Sequence, residues 1–246
     1  CKKYPHKSAV IFGVKEYSYT DLYKAAENLA FYLCMKGIKK GDRISVFMNN
    51  SWECAVAIYG ITLAGGVFLV VNPQTKANKL QYILEDCGAK IFIAEAILHN
   101  EFRQILEDSN EIIDVILSGR KDNAKYSFNF SDFETVTNVK HGNIQLPYII
   151  PNDLAALIYT SGSTGFPKGV MMTHQAMVFT SWSLIEYLRL TEDERIMLVL
   201  QLAFDYGLYQ LIMSVTIGGT LIIEQSFNFP PSIFRKMDEF RPTVFP

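Results

Sequence analysis

Hydrophobic side chains recur along the chain in two patterns that alternate. Leu22, Ala26, Leu29 and Leu33 are spaced as on one face of a helix, whereas residues 43–47 form a short, mostly apolar run of the kind found in buried strands. The two patterns exchange places repeatedly along the chain. This alternation of helices and strands is typical of an α/β fold.

The pattern predicts an ordered series of elements. By residue number they are strands at 9–12 and 16–19, a helix at 20–37, a strand at 43–47, a helix at 52–64, a strand at 67–71, a helix at 80–87, a strand at 91–93, a helix at 98–106, a strand at 112–117, strands at 154–160 and 169–172, a helix at 174–188, a strand at 196–200, a helix at 206–217, a strand at 220–223, a helix from 230 and a strand opening at 243. Many of these strands are apolar on both faces. Such strands belong to parallel sheets that are covered by helices on each side.

A polar stretch over residues 118–152 interrupts the alternation. Asn, Lys and Asp are frequent there, which favours an excursion over the surface. Ser131 and Glu134 have the spacing of a capping box and predict a short helix near 131–139. At this stretch the chain divides into a first α/β region, 1–150, and a second, 151–246.

The composition excludes several classes of protein. Hydrophobic residues make up 49 % of the 246 residues and charged residues 20 %, so the chain has enough apolar surface for a core and is not intrinsically disordered. The 15 glycines and 9 prolines do not fit a collagen-like chain. With 23 basic and 25 acidic residues the net charge is −2, which argues against a nucleic-acid partner.

The four cysteines, Cys1, Cys34, Cys54 and Cys87, form no CxxC pair. A zinc ribbon or a disulfide-stapled scaffold is therefore not expected, and reduced thiols packed as small apolar side chains fit better. The start of the chain lacks the pattern of a signal peptide. Together these features favour a cytoplasmic location.

One uncharged stretch, from Cys54 to Val71, approaches the minimum length of a membrane span, about 18 residues. The Gly65–Gly66 pair interrupts it, and Tyr59 lies within it. A short helix followed by a buried strand explains the stretch better than a membrane helix. No membrane span is therefore predicted.

A loop rich in glycine and hydroxyl side chains lies between the strands predicted at 154–160 and 169–172. Its sequence is Thr160-Ser161-Gly162-Ser163-Thr164-Gly165-Phe166-Pro167-Lys168-Gly169. Glycines let backbone N–H groups approach an anion, the hydroxyls add donors, and the lysine adds a positive charge. These are the groups that bind a polyphosphate.

This loop differs from a Walker A loop, which has Gly directly before its Lys and Ser or Thr directly after. Here Pro167 precedes Lys168 and Gly169 follows it. A P-loop kinase or GTPase is therefore the least favoured interpretation, and no GxGxxG supports a dinucleotide fold. On composition alone, an ordinary hairpin loop rich in turn residues remains an alternative.

The order of the residues from Leu157 to Val170 resembles the signature of the adenylate-forming, or AMP-binding, superfamily of acyl-CoA synthetases, peptide-synthetase adenylation domains and luciferases. Three further segments occur in that family's order: residues 19–22, with Asp21 where the family has Glu, then residues 63–73 and 204–207. The resemblance covers essentially the whole chain. It extends over only the front part of the family's large N-terminal domain.

The resemblance implies a fold of two packed doubly wound sheets flanked by helices, with the opening strand and helix joining the second sheet. It also implies that a carboxylic acid attacks the α-phosphate of ATP, that pyrophosphate leaves, and that a thiol of CoA or of carrier-protein phosphopantetheine takes the acyl group. Mg²⁺ is implied as the ion that bridges the phosphates. The residues implied in holding the β- and γ-phosphates are Thr160, Ser161, Gly162, Ser163, Thr164, Gly165 and Lys168.

Several functional parts of the family have no match in this sequence. They are the segment that stacks on adenine, the ribose-binding Asp, the acidic residue near the metal, the hinge, and the small C-terminal domain with its catalytic Lys. No catalytic or metal-binding residue is therefore assigned here. Because the chain starts at Cys1 and stops at a strand opening at 243, we expect residues to be missing at both ends and this part alone to be unable to complete adenylation.

Asp205 bears on the class of acid. It stands where the amino-acid-activating members carry an Asp that pairs with the substrate's α-amino group, whereas residues 71–73 and 82–86 resemble CoA ligases more closely. A third interpretation is a helix N-cap before residues 206–217. His174 is expected at a helix start beside the loop rather than in the chemistry.

The favoured function is an acyl-CoA synthetase-like ligase, with an amino-acid adenylation domain as the alternative. Its partners would be a small carboxylic acid and either CoA or a carrier protein. A hypothesis from another class is a non-catalytic nucleotide-binding module on the same fold. That module would bind phosphates without forming an acyl-adenylate.

Overall fold

The computed structural model describes residues 3–109, 111–119, 126–139, 144–160 and 166–245. The strands are β1 (Ser8–Phe12), β2 (Lys15–Ser18), β3 (Arg43–Phe47), β4 (Val67–Val71), β5 (Ala89–Glu95), β6 (Asp114–Ser118), β7 (Ser131–Asp132), β8 (Leu154–Thr160), β9 (Lys168–Thr173), β10 (Arg195–Leu198) and β11 (Thr220–Ile223). The helices are α1 (Tyr19–Met35), α2 (Trp52–Leu63), α3 (Ala77–Cys87), α4 (His99–Asp108), α5 (Phe133–Asn138), α6 (His174–Leu188), α7 (Asp205–Ile217) and α8 (Pro230–Phe240).

The strands form two sheets, in the orders β7-β6-β5-β3-β4-β8-β9 and β10-β11-β1-β2. Neighbouring strands are parallel except in two hairpins, β1–β2 and β8–β9. The prediction of an α/β fold with two sheets flanked by helices is thus confirmed. The division at residue 150 remains a division of the sequence, because both sheets take strands from either side of it.

One apolar core joins the two sheets through α1 and α2. It contains Val10 of β1, Leu29 of α1, Ile44 of β3, Ile58 of α2 and Leu221 of β11, all at most 2 % exposed. Burying such side chains contributes about 1.5–3 kcal/mol each. The two helices therefore form a layer between the sheets.

The outer face of each sheet is covered by further helices. Phe47 and Phe92 of the seven-stranded sheet pack with residues of α3 and α4, and Ile11 and Ile222 of the four-stranded sheet pack with Ile233 of α8. This explains why the central strands are apolar on both faces. The order of layers is helix, sheet, helix, sheet, helix.

One prediction about the start of a helix is wrong. The capping box predicted from Ser131 does not form, because Asp132 accepts the N–H of Thr135 at 2.8 Å and caps α5. The hydroxyl of Ser131 instead lies 2.6 Å from the hydroxyl of Tyr32. The strand predicted to open at 243 begins as a parallel bridge between Val244 and Ile196 of β10.

The uncharged stretch at 54–71 is shared between α2 and β4, as predicted. No helix in the described ranges combines the length and apolar character needed to cross a membrane. Cys34, Cys54 and Cys87 are free thiols, and burial raises the pKa of Cys87 to about 11. Cys1 lies outside the described residues.

Candidate functional site

A cleft of about 450 Å³ opens at the carboxyl ends of β4 and β8. In open α/β sheets, ligands bind in the crevice outside the carboxyl ends of the strands. The cleft lies between the seven-stranded sheet and the loop that leads into α7. It is lined by Val70, Val71, Asn72, Thr75, Lys79, Ile83, Tyr159, Thr160, Pro167, Ala203 and Phe204.

The glycine-rich loop joins β8 to β9 in an antiparallel hairpin, so the strand–loop–strand order predicted from the sequence is confirmed. Thr160, the last residue of β8, is paired in register with Lys168, the first residue of β9. Both residues are exposed, and Thr160 lines the cleft. Five predicted phosphate-binding residues lie outside the described part of the chain: Ser161, Gly162, Ser163, Thr164 and Gly165.

Helix α3 holds the two flanks of this hairpin. The hydroxyl of Tyr159 donates a hydrogen bond of 2.5 Å to the carboxylate of Asp86, and the ring of Phe166 packs on that of Tyr82 with centroids 5.0 Å apart. Burial, and then the bond to Asp86, raise the pKa of Tyr159. Tyr159 therefore stays protonated as a donor.

Gly169 allows the ring of Tyr159 to lie directly against the neighbouring strand. A Cβ atom at position 169 would lie 3.1 Å from Cε2 of Tyr159, closer than side chains normally approach. The glycine after Lys168 thus has a packing role in the hairpin, which the sequence pattern did not reveal.

The charges around the cleft suit an anion. None of the described side chains that line it is a carboxylate, and Lys79 of α3 contributes a cation. Within the described residues neither Lys79 nor Lys168 forms an ion pair. Asn72, Thr75 and Lys79 were missed by the sequence reasoning, although a polar run directly after the buried strand β4 is a usable signal.

Asp205 is the first residue of α7, and Phe204 occupies the N-cap position. The N-cap interpretation of Asp205 is therefore wrong. Its exposed carboxylate accepts the N–H of Tyr206 at 2.8 Å. Asp205 does not line the cleft, whereas Phe204, which is 48 % exposed, does.

His174 lies outside the cleft, at the first position of α6 after the N-cap Thr173. It borders an exposed groove of about 640 Å³ that also includes Phe179 and Trp182. Burial lowers the pKa of His174, and the nearby Asp153 opposes that shift. In the parts of the chain that the structure describes, no three His, Cys, Asp or Glu side chains group closely enough to hold a metal ion.

Comparison with known proteins identifies the family of this fold and loop. The family model described as AMP-binding enzyme matches residues 1–246. The chain belongs to the AMP-binding enzyme family. The resemblance inferred from the order of residues 157–170 is therefore confirmed, and so is the prediction of an adenylate-forming fold.

Relatives within the AMP-binding enzyme family include both ligases and peptide synthetases. The chain is 27 % identical over 270 residues to a long-chain-fatty-acid–CoA ligase of Bacillus subtilis, with 99 % of this chain and 48 % of that protein aligned. It is 29 % identical over 225 residues to the phosphinothricin tripeptide synthetase of Streptomyces viridochromogenes, with 91 % of this chain and 19 % of that protein aligned.

Solved structures share the fold. ATP-bound MatB from Rhodopseudomonas palustris superimposes with a TM-score of 0.83 at 26 % identity, over 98 % of this chain and 46 % of that one. The chain thus spans about half the length of these two proteins.

Proposed function

We propose that the full-length protein is an AMP-forming ligase that activates a carboxylic acid with ATP and passes the acyl group to a thiol of CoA or of a carrier protein. The observation that carries this proposal is the hairpin of Thr160 and Lys168 at the edge of a cleft whose described lining side chains include no carboxylate. Membership of the AMP-binding enzyme family and the ligases among its relatives support it. We expect this half-length chain alone to be unable to complete the reaction.

The proposed chemistry has two steps. A carboxylate oxygen of the acid attacks the α-phosphorus of ATP, the bond to the bridging oxygen breaks, and pyrophosphate leaves with the electron pair, which gives acyl-AMP. A thiolate then attacks the acyl carbon, and AMP leaves. In the first step negative charge grows on the pyrophosphate, so preorganised donors and cations there lower the barrier.

The chain's own residues would act on the phosphates. Lys168 and the hydroxyl of Thr160 flank the hairpin loop, and in our proposal Ser161 to Gly165 contribute the remaining donors for the β- and γ-phosphates. Mg²⁺, when bound to these phosphates, would neutralise part of their charge. In this proposal the carboxylic acid substrate binds against the apolar wall formed by Ala203 and Phe204.

An amino acid as the substrate is the second candidate. The carboxylate of Asp205 is exposed and lies one residue after Phe204, which lines the cleft. One oxygen of this carboxylate accepts the N–H of Tyr206, and the other would pair with a substrate ammonium group. The tripeptide synthetase among the relatives supports this candidate.

The test is mass spectrometry of the full-length protein after incubation with ATP, Mg²⁺ and a pool of fatty, aryl and amino acids. We expect an acyl-AMP, whose acid part names the substrate class. Folded protein that binds ATP but forms no acyl-AMP would replace this proposal with the non-catalytic nucleotide-binding module.

Lys168→Ala tests the phosphate site in the same protein. It removes a cation from the hairpin, so we expect ATP-dependent pyrophosphate exchange to fall by about 10²-fold or more. Lys39→Ala is the matched control, because Lys39 is also exposed but lies before the amino end of β3, whereas the hairpin follows the carboxyl end of β8. Equal exchange in the two variants would contradict the assignment of Lys168.

A further inference from the structure

Asn50 joins the carboxyl ends of the two sheets through its side-chain amide. It follows β3 and is 4 % exposed. Its Nδ2 donates to the carbonyl oxygens of Leu200, at 2.8 Å, and Glu224, at 3.1 Å. Its Oδ1 accepts the N–H of Leu202 at 2.9 Å. Both amide protons and the amide oxygen are thus used by the backbone after β10 and β11.

The segment held by Asn50 leads directly into the cleft. The N–H of Phe204 donates to the carbonyl of Gln201 at 3.1 Å, inside the stretch whose ends Asn50 fixes. Gly207 packs against the same stretch, since a Cβ there would lie 2.3 Å from the carbonyl oxygen of Gln201. The position of Phe204 therefore depends on that of residues 200–202.

The other wall of the cleft belongs to the strand beside β3. Strands β3 and β4 are paired in register from Arg43 with Val67 to Phe47 with Val71. Val71 and Asn72 line the same cleft as Phe204. Asn50 is thus a direct link between the wall formed by the seven-stranded sheet and the wall formed by the loop after β10.

We infer that Asn50 is a positioning residue that fixes Phe204 against the wall formed by β4 and so aligns the carboxylic acid with the phosphates. This inference rests on the proposed function. The phosphate hairpin is held separately, by Asp86 and Tyr82 of α3. Loss of the Asn50 amide should therefore disturb the acid and leave ATP binding nearly unchanged.

Asn50→Ala in the full-length protein tests the inference by pyrophosphate-exchange kinetics. It leaves the carbonyls of Leu200 and Glu224 and the N–H of Leu202 without their side-chain partner, so residues 200–204 can shift. We expect kcat/KM for the acid to fall by about 10- to 100-fold, because small misplacements of a reactant have effects of that size. The KM for ATP should change by less than about twofold.

Asn28→Ala is the matched control. The Nδ2 of Asn28 also donates to a backbone carbonyl, that of Thr137, at 2.8 Å, but this bond joins α1 to α5 and lies outside the cleft. We expect Asn28→Ala to lower stability without a selective fall in kcat/KM for the acid relative to the KM for ATP. Asn50→Ser, whose small hydroxyl can both donate and accept, should give a smaller loss than Asn50→Ala and carries the test if Asn50→Ala does not fold.

Three results would overturn the inference. They are an unchanged kcat/KM for the acid, equal losses for acid and ATP, or the same split, a selective loss for the acid, in Asn28→Ala. Wild-type protein without exchange for any acid would refute the proposed function, and with it the inference. Active wild-type protein with no split in the Asn50 variants would refute the inference alone. A split confined to the Asn50 variants supports it.

Discussion

Gly207→Ala should destabilise the chain although it places a better helix former in α7. Gly207 lies in the first turn of the helix and is buried. A Cβ atom there would lie 2.3 Å from the carbonyl oxygen of Gln201, 2.8 Å from its carbon and 2.9 Å from the carbonyl oxygen of Leu200. All three atoms belong to the backbone, so no side-chain rotation relieves the clash.

The magnitudes decide the sign of the effect. Replacing Gly by Ala in a helix gains at most about 1 kcal/mol. Overpacking of this kind costs about 1–3 kcal/mol, and moving residues 200–202 also weakens the bonds to Asn50, each worth about 0.5–1.5 kcal/mol. We therefore expect a net loss of about 2–4 kcal/mol in the free energy of unfolding.

Thermal unfolding of the chain measures this loss. For a chain of this length each kcal/mol lowers Tm by about 2–4 °C, so a loss of about 2–4 kcal/mol should lower Tm by about 4–16 °C. Thr216→Ala, at an exposed position of the same helix, is the control and should stay within about 0.5 kcal/mol of wild type. A Tm for Gly207→Ala at or above that of wild type would refute the reasoning.

Tyr159→Phe removes the hydroxyl that holds the hairpin to the exposed Asp86. We expect the free energy of unfolding to fall by about 0.5–1.5 kcal/mol and the KM for ATP in exchange assays to rise. An unchanged KM would argue against a role of this hydrogen bond in positioning the hairpin. Asp132→Ala removes the cap of α5 and should lower the free energy of unfolding by about 1 kcal/mol. Glu134→Ala should lower it by less than about 0.5 kcal/mol. Equal Tm values for the two variants would contradict the assignment of Asp132 as the cap. Because burial holds the pKa of His174 below its ordinary value of about 6.5, its contribution to stability is complete above that pH and is lost as pH falls. His174→Gln should therefore flatten the dependence of unfolding free energy on pH between about 7 and 5, and curves parallel to wild type would count against this.

The sequence alone predicts most elements of the fold, because the spacing of apolar residues reports which side chains are buried within one helix or strand. The helix expected at 174–188 and the strand expected at 67–71 coincide with α6 and β4. Element ends were less predictable, since a cap depends on competing partners. Ser131 fails as a cap because its hydroxyl contacts Tyr32, 99 residues away.

The phosphate loop could be recognised from the sequence, because its glycines, hydroxyls and Lys168 are consecutive. The cleft beside it could not be, because its walls come from β4, α3 and the loop after β10, which only packing brings together. Asn50 shows the reason most directly. Its sequence neighbours are those of an ordinary polar loop, yet its partner Leu200 lies 150 residues away. A hydrogen bond between the strand ends of two sheets forms only when the helices between the sheets, α1 and α2, set the right distance between those ends. No local sequence pattern indicates the distance between the two sheets.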